Sequence, residues 1–146
     1  MFKILITDKL SEQGMEVFRR EKDFQTEEHI GKSPDELKKI LGAFDAWMIR
    51  SGTTATADLI QAATKVKIIG RAGVGVDNVD VPAATARKVV VMNTPRGSSV
   101  AVAELALGLM LALARQIPRA DATMHAGQWE KKSLEGGELL GKTLGQ

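Results

Sequence analysis

Val66-Lys67-Ile68-Ile69-Gly70-Arg71-Ala72-Gly73-Val74-Gly75-Val76-Asp77-Asn78-Val79-Asp80 is the stretch whose reading decides the fold. It opens with a short apolar run rich in β-branched residues, 66–69, bounded by glycine, the pattern of a strand buried on both faces. Three glycines fall within six positions, Gly70, Gly73 and Gly75, before the chain turns through Asp77-Asn78. A loop with so few Cβ atoms brings backbone N–H groups close to a small anion and adopts φ > 0 without strain. The segment reads as a strand delivering a carboxylate or phosphate cradle to a sheet edge, and equally as a tight strand-to-helix connection with no ligand. As a dinucleotide fingerprint it is poor, because Asn78 stands where G-x-G-x-x-G places its third glycine.

The same texture recurs outward from this segment. Strand-like runs at 3–7, 23–26, 46–49 and 89–92 join 66–69 at spacings of about 20 residues, with helical signals between them. Ser33, Pro34 and Glu36 form an N-cap, a first helical position and a capping box, followed by Leu37, Ile40 and Leu41 on one face and closed by Gly42. Thr56 caps the next helix, with Asp58 near its positive end and Leu59, Ile60 and Ala63 facing inward. Strand then helix, repeated, predicts a parallel α/β sheet with right-handed crossovers.

After Met92 the texture changes. Asn93-Thr94-Pro95-Arg96-Gly97-Ser98 is a turn-rich connector, and Ser98 or Ser99 caps a predicted helix over 100–115 that is apolar nearly all round. Such a helix is either a core element or is buried between domains or subunits. From Gln116 the sequence turns polar, with a loop expected over 128–132.

Bulk properties bound the function. The 146 residues are 44% hydrophobic and 26% charged, enough apolar material for a true core. Twenty basic against 18 acidic side chains leave a net charge of +2, too small to point to nucleic acid. Zero cysteines exclude disulfides and thiolate catalysis. With no secretory pattern at the start and no apolar run near the ~20 residues a bilayer requires, a cytoplasmic setting without a membrane span is expected. His29 and His125 are read as lying neither at a strand's carboxyl end nor beside a titratable partner. No metal site and no paired carboxylates for general acid–base work are suggested.

Met48-Ile49-Arg50-Ser51, the segment 70–80, Val91-Met92-Asn93-Thr94-Pro95, Ala103-Glu104-Leu105, Ala114-Arg115-Gln116-Ile117-Pro118, Trp129-Glu130 and Gly141-Lys142-Thr143-Leu144-Gly145 occur in order along the chain. Together they resemble the phosphoglycerate dehydrogenases of the D-2-hydroxyacid dehydrogenase family. The resemblance implies a flavodoxin-like, parallel-sheet substrate-binding domain over 1–95, then the first helices of a Rossmann NAD-binding domain over 96–146, cut before its glycine fingerprint. It also implies a homodimer or tetramer that oxidises the C2 hydroxyl of 3-phosphoglycerate with NAD, in serine biosynthesis. No catalytic residue is assigned here, since the family's catalytic Arg, Glu and His are expected beyond Gln146.

The resemblance carries over to particular residues. Arg50, at the carboxyl end of a predicted strand, is placed to grip phosphate or carboxylate with its planar fork, and Ser51 beside it to donate one more hydrogen bond. A solvated arginine ending a strand is the plainer alternative. Gly73, Val74 and Gly75 are expected to receive the substrate carboxylate, and Val74 and Val102 to lie against the nicotinamide. Some relatives carry Thr at the Val74 position and Asn after the glycine where Ser98 stands. Arg71 is read as a second anion ligand or, preferably, as an ion-pair partner of Asp77 or Asp80. Lys131, in a segment that reaches the neighbouring subunit in the family, adds charge to that subunit's phosphate site or is simply solvated.

Three rival readings compete with this one. A phosphoacceptor receiver domain uses Asp8 but needs an Asp where Arg50-Ser51 stands. A hydroxypyruvate or glyoxylate reductase shares the glycine loop and Asn78-Val79-Asp80. A non-enzymatic, NAD-sensing corepressor is the third.

Overall fold

The apolar run at 66–69 does lead into a strand, 68–71, and four others lie parallel to it. In the computed structural model, which describes residues 1–145, β1 (Phe2–Ile6), β2 (Phe24–Glu28), β3 (Ala46–Ile49), β4 (Ile68–Arg71) and β5 (Val90–Asn93) build one sheet in the order β2-β1-β3-β4-β5. Every pairing is parallel, and this is the flavodoxin-like strand order. The connections carry α1 (Glu12–Arg20), α2 (Pro34–Ile40), α3 (Ala57–Ala62) and α4 (Val81–Ala86); α5 (Ser99–Ala114) and α6 (Ile117–His125) follow β5. The chain divides into two compact units, Met1–Gly97 and a second that begins at Ser98.

Register explains the two faces of the sheet. Leu5, Trp47, Ile69 and Val91 stand side by side in one row across β1, β3, β4 and β5. This row packs with Leu37 and Leu41 and with Leu59, Ile60 and Ala84 of α3 and α4 into the main core. The alternate row, Ile4, Ala46, Ile68 and Val90, faces the other way. There Ile4 and Ile6 meet Met15 of α1, whereas Ile68, Val90 and Met92 remain exposed. At Gly70 a Cβ would stand 2.8 Å from Met48 Sδ, so that methionine lies across the glycine instead of beside a side chain.

The capping signals translate into contacts. Ser33 Oγ accepts the Glu36 N–H, and the Glu36 carboxylate accepts the Ser33 N–H at 2.9 Å. Thr56 caps α3 on Leu59 N, and Leu59, Ile60 and Ala63 are buried as expected. Two local expectations are corrected. Instead of closing α2, Gly42 sits within a 3-10 turn, Leu41–Ala43, that continues it. The serine preceding α5 provides no side-chain cap, because Ser98, at φ −119° and ψ 4°, lacks the extended backbone that turns its hydroxyl back onto the helix. The polar stretch after Gln116 contains α6, whose start Pro118 favours.

Larger corrections concern β4 and α5. Pairing of Ala46 with Ile68 starts β4 two residues later than its apolar run, and pairing of Ile49 with Arg71 carries it through Gly70 to Arg71. Arg71 is thus a strand residue, and the loop begins at Ala72. Helix α5 has no buried residue: Leu105, Leu109 and Leu113 are 62%, 61% and 82% exposed. It is not a core helix of the described residues, since its own unit offers little beyond α6 and the return of Gly137 N to Ala114 O. Among the described residues no single helix is long and apolar enough to cross a membrane.

The capping box makes a pH prediction. Lys32, and then Ser33, hold the Glu36 carboxyl down to about 2 from its ordinary 4.5. Because the folded value lies below the unfolded one, the contribution is complete above about pH 4.5 and is lost as pH falls toward 2. Thermal melts across this window are expected to show a steeper acid loss for the native chain than for Glu36→Gln; parallel curves would contradict the assignment.

Candidate anion site at the carboxyl edge of the sheet

In a parallel sheet the carboxyl ends of all strands share one edge, so the loops leaving β1, β3, β4 and β5 converge there. The turn after β3, 50–53, is held from two sides. From the β1 side, Asp8 Oδ2 accepts the N–H groups of Arg50 at 2.6 Å and Thr53 at 3.0 Å. On the β4 side, Asn78 Nδ2 donates to the carbonyls of the same two residues, both at 2.6 Å. A Cβ at Gly52 would run into the Asp8 carboxylate, so the close approach needs glycine. Beneath the turn, Thr7 Oγ1 accepts from Trp47 Nε1 and from Thr53 Oγ1, each at 3.0 Å, all three residues being buried. A cavity of about 240 Å³ opens beside the turn, bounded by Thr7, Asp8, Lys32, Gly52, Thr53 and Leu59.

This clamp leaves Arg50 pointing to solvent with little else to do. Its guanidinium is exposed, and its one bond among the described residues runs from Nη1 to Lys9 O at 3.1 Å. Four of the five N–H donors of an arginine thus stay available to an anion. Ser51 is exposed beside it.

The glycine loop lies next to this turn. Its carbonyls are tied down, Gly73 O accepting from Thr94 N at 2.9 Å and Val74 O from Asn93 Nδ2 at 2.7 Å. The N–H of Gly73 is turned inward onto Arg71 O at 2.8 Å, which removes it from the expected cradle. The N–H groups of Val74 and Gly75 donate to no oxygen among the described residues, and the Val74 side chain is 45% exposed. Val79 bridges to Ala55, which fastens the far end of the loop behind the β3 turn.

Arg71 pairs with neither aspartate. Its Nε donates to Asn78 Oδ1 at 3.2 Å, because Asp80 is committed to Ala83 N as the cap of α4 and Asp77 is exposed. A Cβ at Gly73 would overlap the Arg71 guanidinium, so glycine is needed at this position to let the arginine fold over the loop. The structure thus brings Arg50, Ser51, Val74, Gly75 and Arg71 to one edge. Val102 and Lys131 lie in the second unit: Val102 is exposed on α5, and Lys131 opens a 3-10 turn, Lys131–Ser133, without an ion pair among the described residues. In that turn Ser133 and then Arg119 lower the Glu130 carboxyl below its ordinary range.

The histidine reading needs correction. Since β2 runs on to Glu28, His29 does follow a strand, and its Nε2 lies 3.5 Å from Glu27 while its ring meets Phe44 edge-on. His125 stands 3.4 Å from Asp121, one helical turn away. Neither belongs to the clamp. Among the described residues no group of three His, Asp or Glu could hold a metal ion. Sequence reasoning does not single out Asp8, Thr53, Asn78 and Asn93 as site residues; the available signal is a polar side chain at or within seven residues of a strand's carboxyl end, where Asp8, Asn78 and Asn93 satisfy backbone leaving the sheet.

Residues 4–140 match the family profile "D-isomer specific 2-hydroxyacid dehydrogenase, catalytic domain". Over 145 residues the chain is 48% identical to a D-3-phosphoglycerate dehydrogenase of Methanocaldococcus jannaschii, covering 99% of this chain and 27% of that protein. It is 46% identical to a hydroxypyruvate reductase of Thermotoga maritima, covering 99% and 47%. Among solved structures, the NAD+-bound 3-phosphoglycerate dehydrogenase of Entamoeba histolytica superposes with a TM-score of 0.70 at 31% identity, over 78% of this chain and 39% of that one. The chain therefore spans between about a quarter and a half of these relatives.

The buried hydroxyl network beneath the turn gives a stability prediction. Thr7→Val leaves Trp47 Nε1 and Thr53 Oγ1 without their shared acceptor, at a cost of about 1–3 kcal/mol. Urea denaturation followed by tryptophan fluorescence measures it; an unchanged midpoint would mean that the network contributes nothing net.

Proposed function

Because the chain belongs to the D-isomer specific 2-hydroxyacid dehydrogenases, we propose that it is the substrate-binding part of an NAD-dependent enzyme that oxidises the C2 hydroxyl of 3-phosphoglycerate to 3-phosphohydroxypyruvate. The carrying observation is the clamped β3 turn, which presents an almost uncommitted Arg50 guanidinium beside two free backbone N–H groups. Such a pairing of fork and backbone donors suits a substrate with two anionic groups. In this reading Arg50 and Ser51 take one anionic group while Val74 N and Gly75 N take the other. Gly73 contributes conformation, not a donor. Arg71 supplies a second positive charge nearby.

When bound, NAD supplies the acceptor for the C2 hydride. Val74 in the first unit and Val102 in the second are each exposed and apolar, as contact with a nicotinamide ring requires. No described segment pairs a G-x-G-x-x-G loop with a helix start, so the pyrophosphate is assigned elsewhere in the full protein, as are the catalytic groups. These 146 residues alone are accordingly expected to be inactive and to bind NAD weakly. The reading makes 1–95 the substrate domain and 96–146 the start of the cofactor domain. It further includes a homodimer or tetramer that uses the uncovered α5 surface, Lys131 serving a neighbouring subunit's phosphate, and a cytoplasmic role in serine biosynthesis.

A second reading is supported by the 46% identity to the hydroxypyruvate reductase. Hydroxypyruvate carries one anionic group where 3-phosphoglycerate carries two, so the presence of both Arg50 and Arg71 at the edge favours the phosphorylated substrate.

In the full-length enzyme, Arg50→Ala is expected to raise KM for 3-phosphoglycerate far more than for NAD, by the roughly 1.5–3 kcal/mol of a charge-assisted clamp. Arg50→Lys recovers part of this, since an ammonium cannot reproduce the fork. Steady-state kinetics of both variants indistinguishable from the native enzyme would refute the assignment, and higher kcat/KM with hydroxypyruvate or glyoxylate would favour the second reading.

A further inference from the structure

The Asn78 carboxamide uses its two ends on different partners. Its Nδ2 donates to Arg50 O and Thr53 O, both at 2.6 Å, and its Oδ1 accepts from Arg71 Nε at 3.2 Å. The orientation is chemically forced: exchanging N and O would set an oxygen against two carbonyls and an amide N–H against a guanidinium N–H. The same logic excludes the isosteric carboxylate, which has no donor for the carbonyls of the turn. Asp8 holds this turn too, by the N–H groups of Arg50 and Thr53, yet among the described residues only Asn78 also touches a second cation.

We propose that Asn78 is a positioning residue that joins the Arg50 turn and the Arg71 guanidinium into one preset anion-binding unit. The proposal rests on the reading of Arg50 as a substrate ligand. Arg50 is steered through its backbone: with its N–H on Asp8 and its C=O on Asn78, the residue has little freedom left except in its side chain. Arg71 is steered through Nε, which aims the remaining guanidinium nitrogens over Gly73 toward the loop whose Val74 and Gly75 N–H groups are free. Preset cations lose little freedom when an anion arrives, so affinity rises without any contact from Asn78 to the ligand.

The test uses the full-length enzyme and its kinetics with 3-phosphoglycerate and NAD. Asn78→Asp keeps the shape and the acceptor for Arg71 but loses both donors to the turn, and is expected to raise KM for 3-phosphoglycerate roughly tenfold or more while KM for NAD stays within about twofold. Asn78→Ser, which removes both functions in a smaller side chain, is expected to do the same. In an Arg50→Ala background the Asn78→Asp effect should shrink, because the two act through one contact. A large Arg50→Ala effect beside native-like KM values in both Asn78 variants would overturn the positioning role alone. Equal loss for both substrates, or failure of both variants to fold, would assign Asn78 to the fold and overturn it as well. An Arg50→Ala enzyme without effect would instead remove the functional reading beneath it.

Discussion

A strand that ends within a parallel sheet leaves backbone groups without a ladder partner, and burying such groups unpaired is costly. At the end of β3 this constraint is met by two side chains, Asp8 for the N–H groups and Asn78 for the carbonyls of Arg50 and Thr53. Everything at the carboxyl edge follows from that solution. The turn takes one shape, Gly52 becomes obligatory against Asp8, and Thr53 is drawn inward to the Thr7–Trp47 network. What remains outside is the Arg50 side chain. A fold-stabilising requirement thus leaves a cation exposed on rigid backbone, the arrangement an anion site needs.

The glycine loop illustrates how one segment divides its backbone between structure and chemistry. Its carbonyls are fastened by Asn93 and Thr94 at the end of β5, and the Gly73 N–H turns back on Arg71. The N–H groups of Val74 and Gly75, like those of Val76, Asp77 and Asn78 after them, donate to no oxygen among the described residues. The flatness of the loop serves Arg71 as much as any ligand, since a side chain at position 73 would overlap that guanidinium. Helix α5 shows the opposite situation. Its leucines point all round, yet the described residues bury none of them.

Much of the sheet was legible in the sequence because period, caps and glycines are local signals. The α/β alternation, the Ser33 capping box and the inward face of α3 were all readable from neighbouring residues. Boundaries set by partners were not. The shift of β4 toward Arg71 comes from its register with β3, and the continuation of β2 to Glu28 from its pairing with Ile6. At the site, cationic Arg50 and the glycines stood out by residue type. Asp8 and Asn78 did not, since their roles depend on a turn 42 and 28 residues away in the chain. Arg71 was given an aspartate by proximity in sequence, and the fold supplied a neutral amide.

The central claim is that the carboxyl edge around Arg50 receives the anionic substrate. A crystal structure of the full-length protein with 3-phosphoglycerate tests it most directly. The account predicts one anionic group of the ligand within hydrogen-bonding distance of the Arg50 guanidinium and the other on the N–H groups of Val74 and Gly75, with the Asn78 amide still on the carbonyls of Arg50 and Thr53. A ligand bound away from this edge, or a cofactor phosphate resting on Val74 and Gly75, would contradict it.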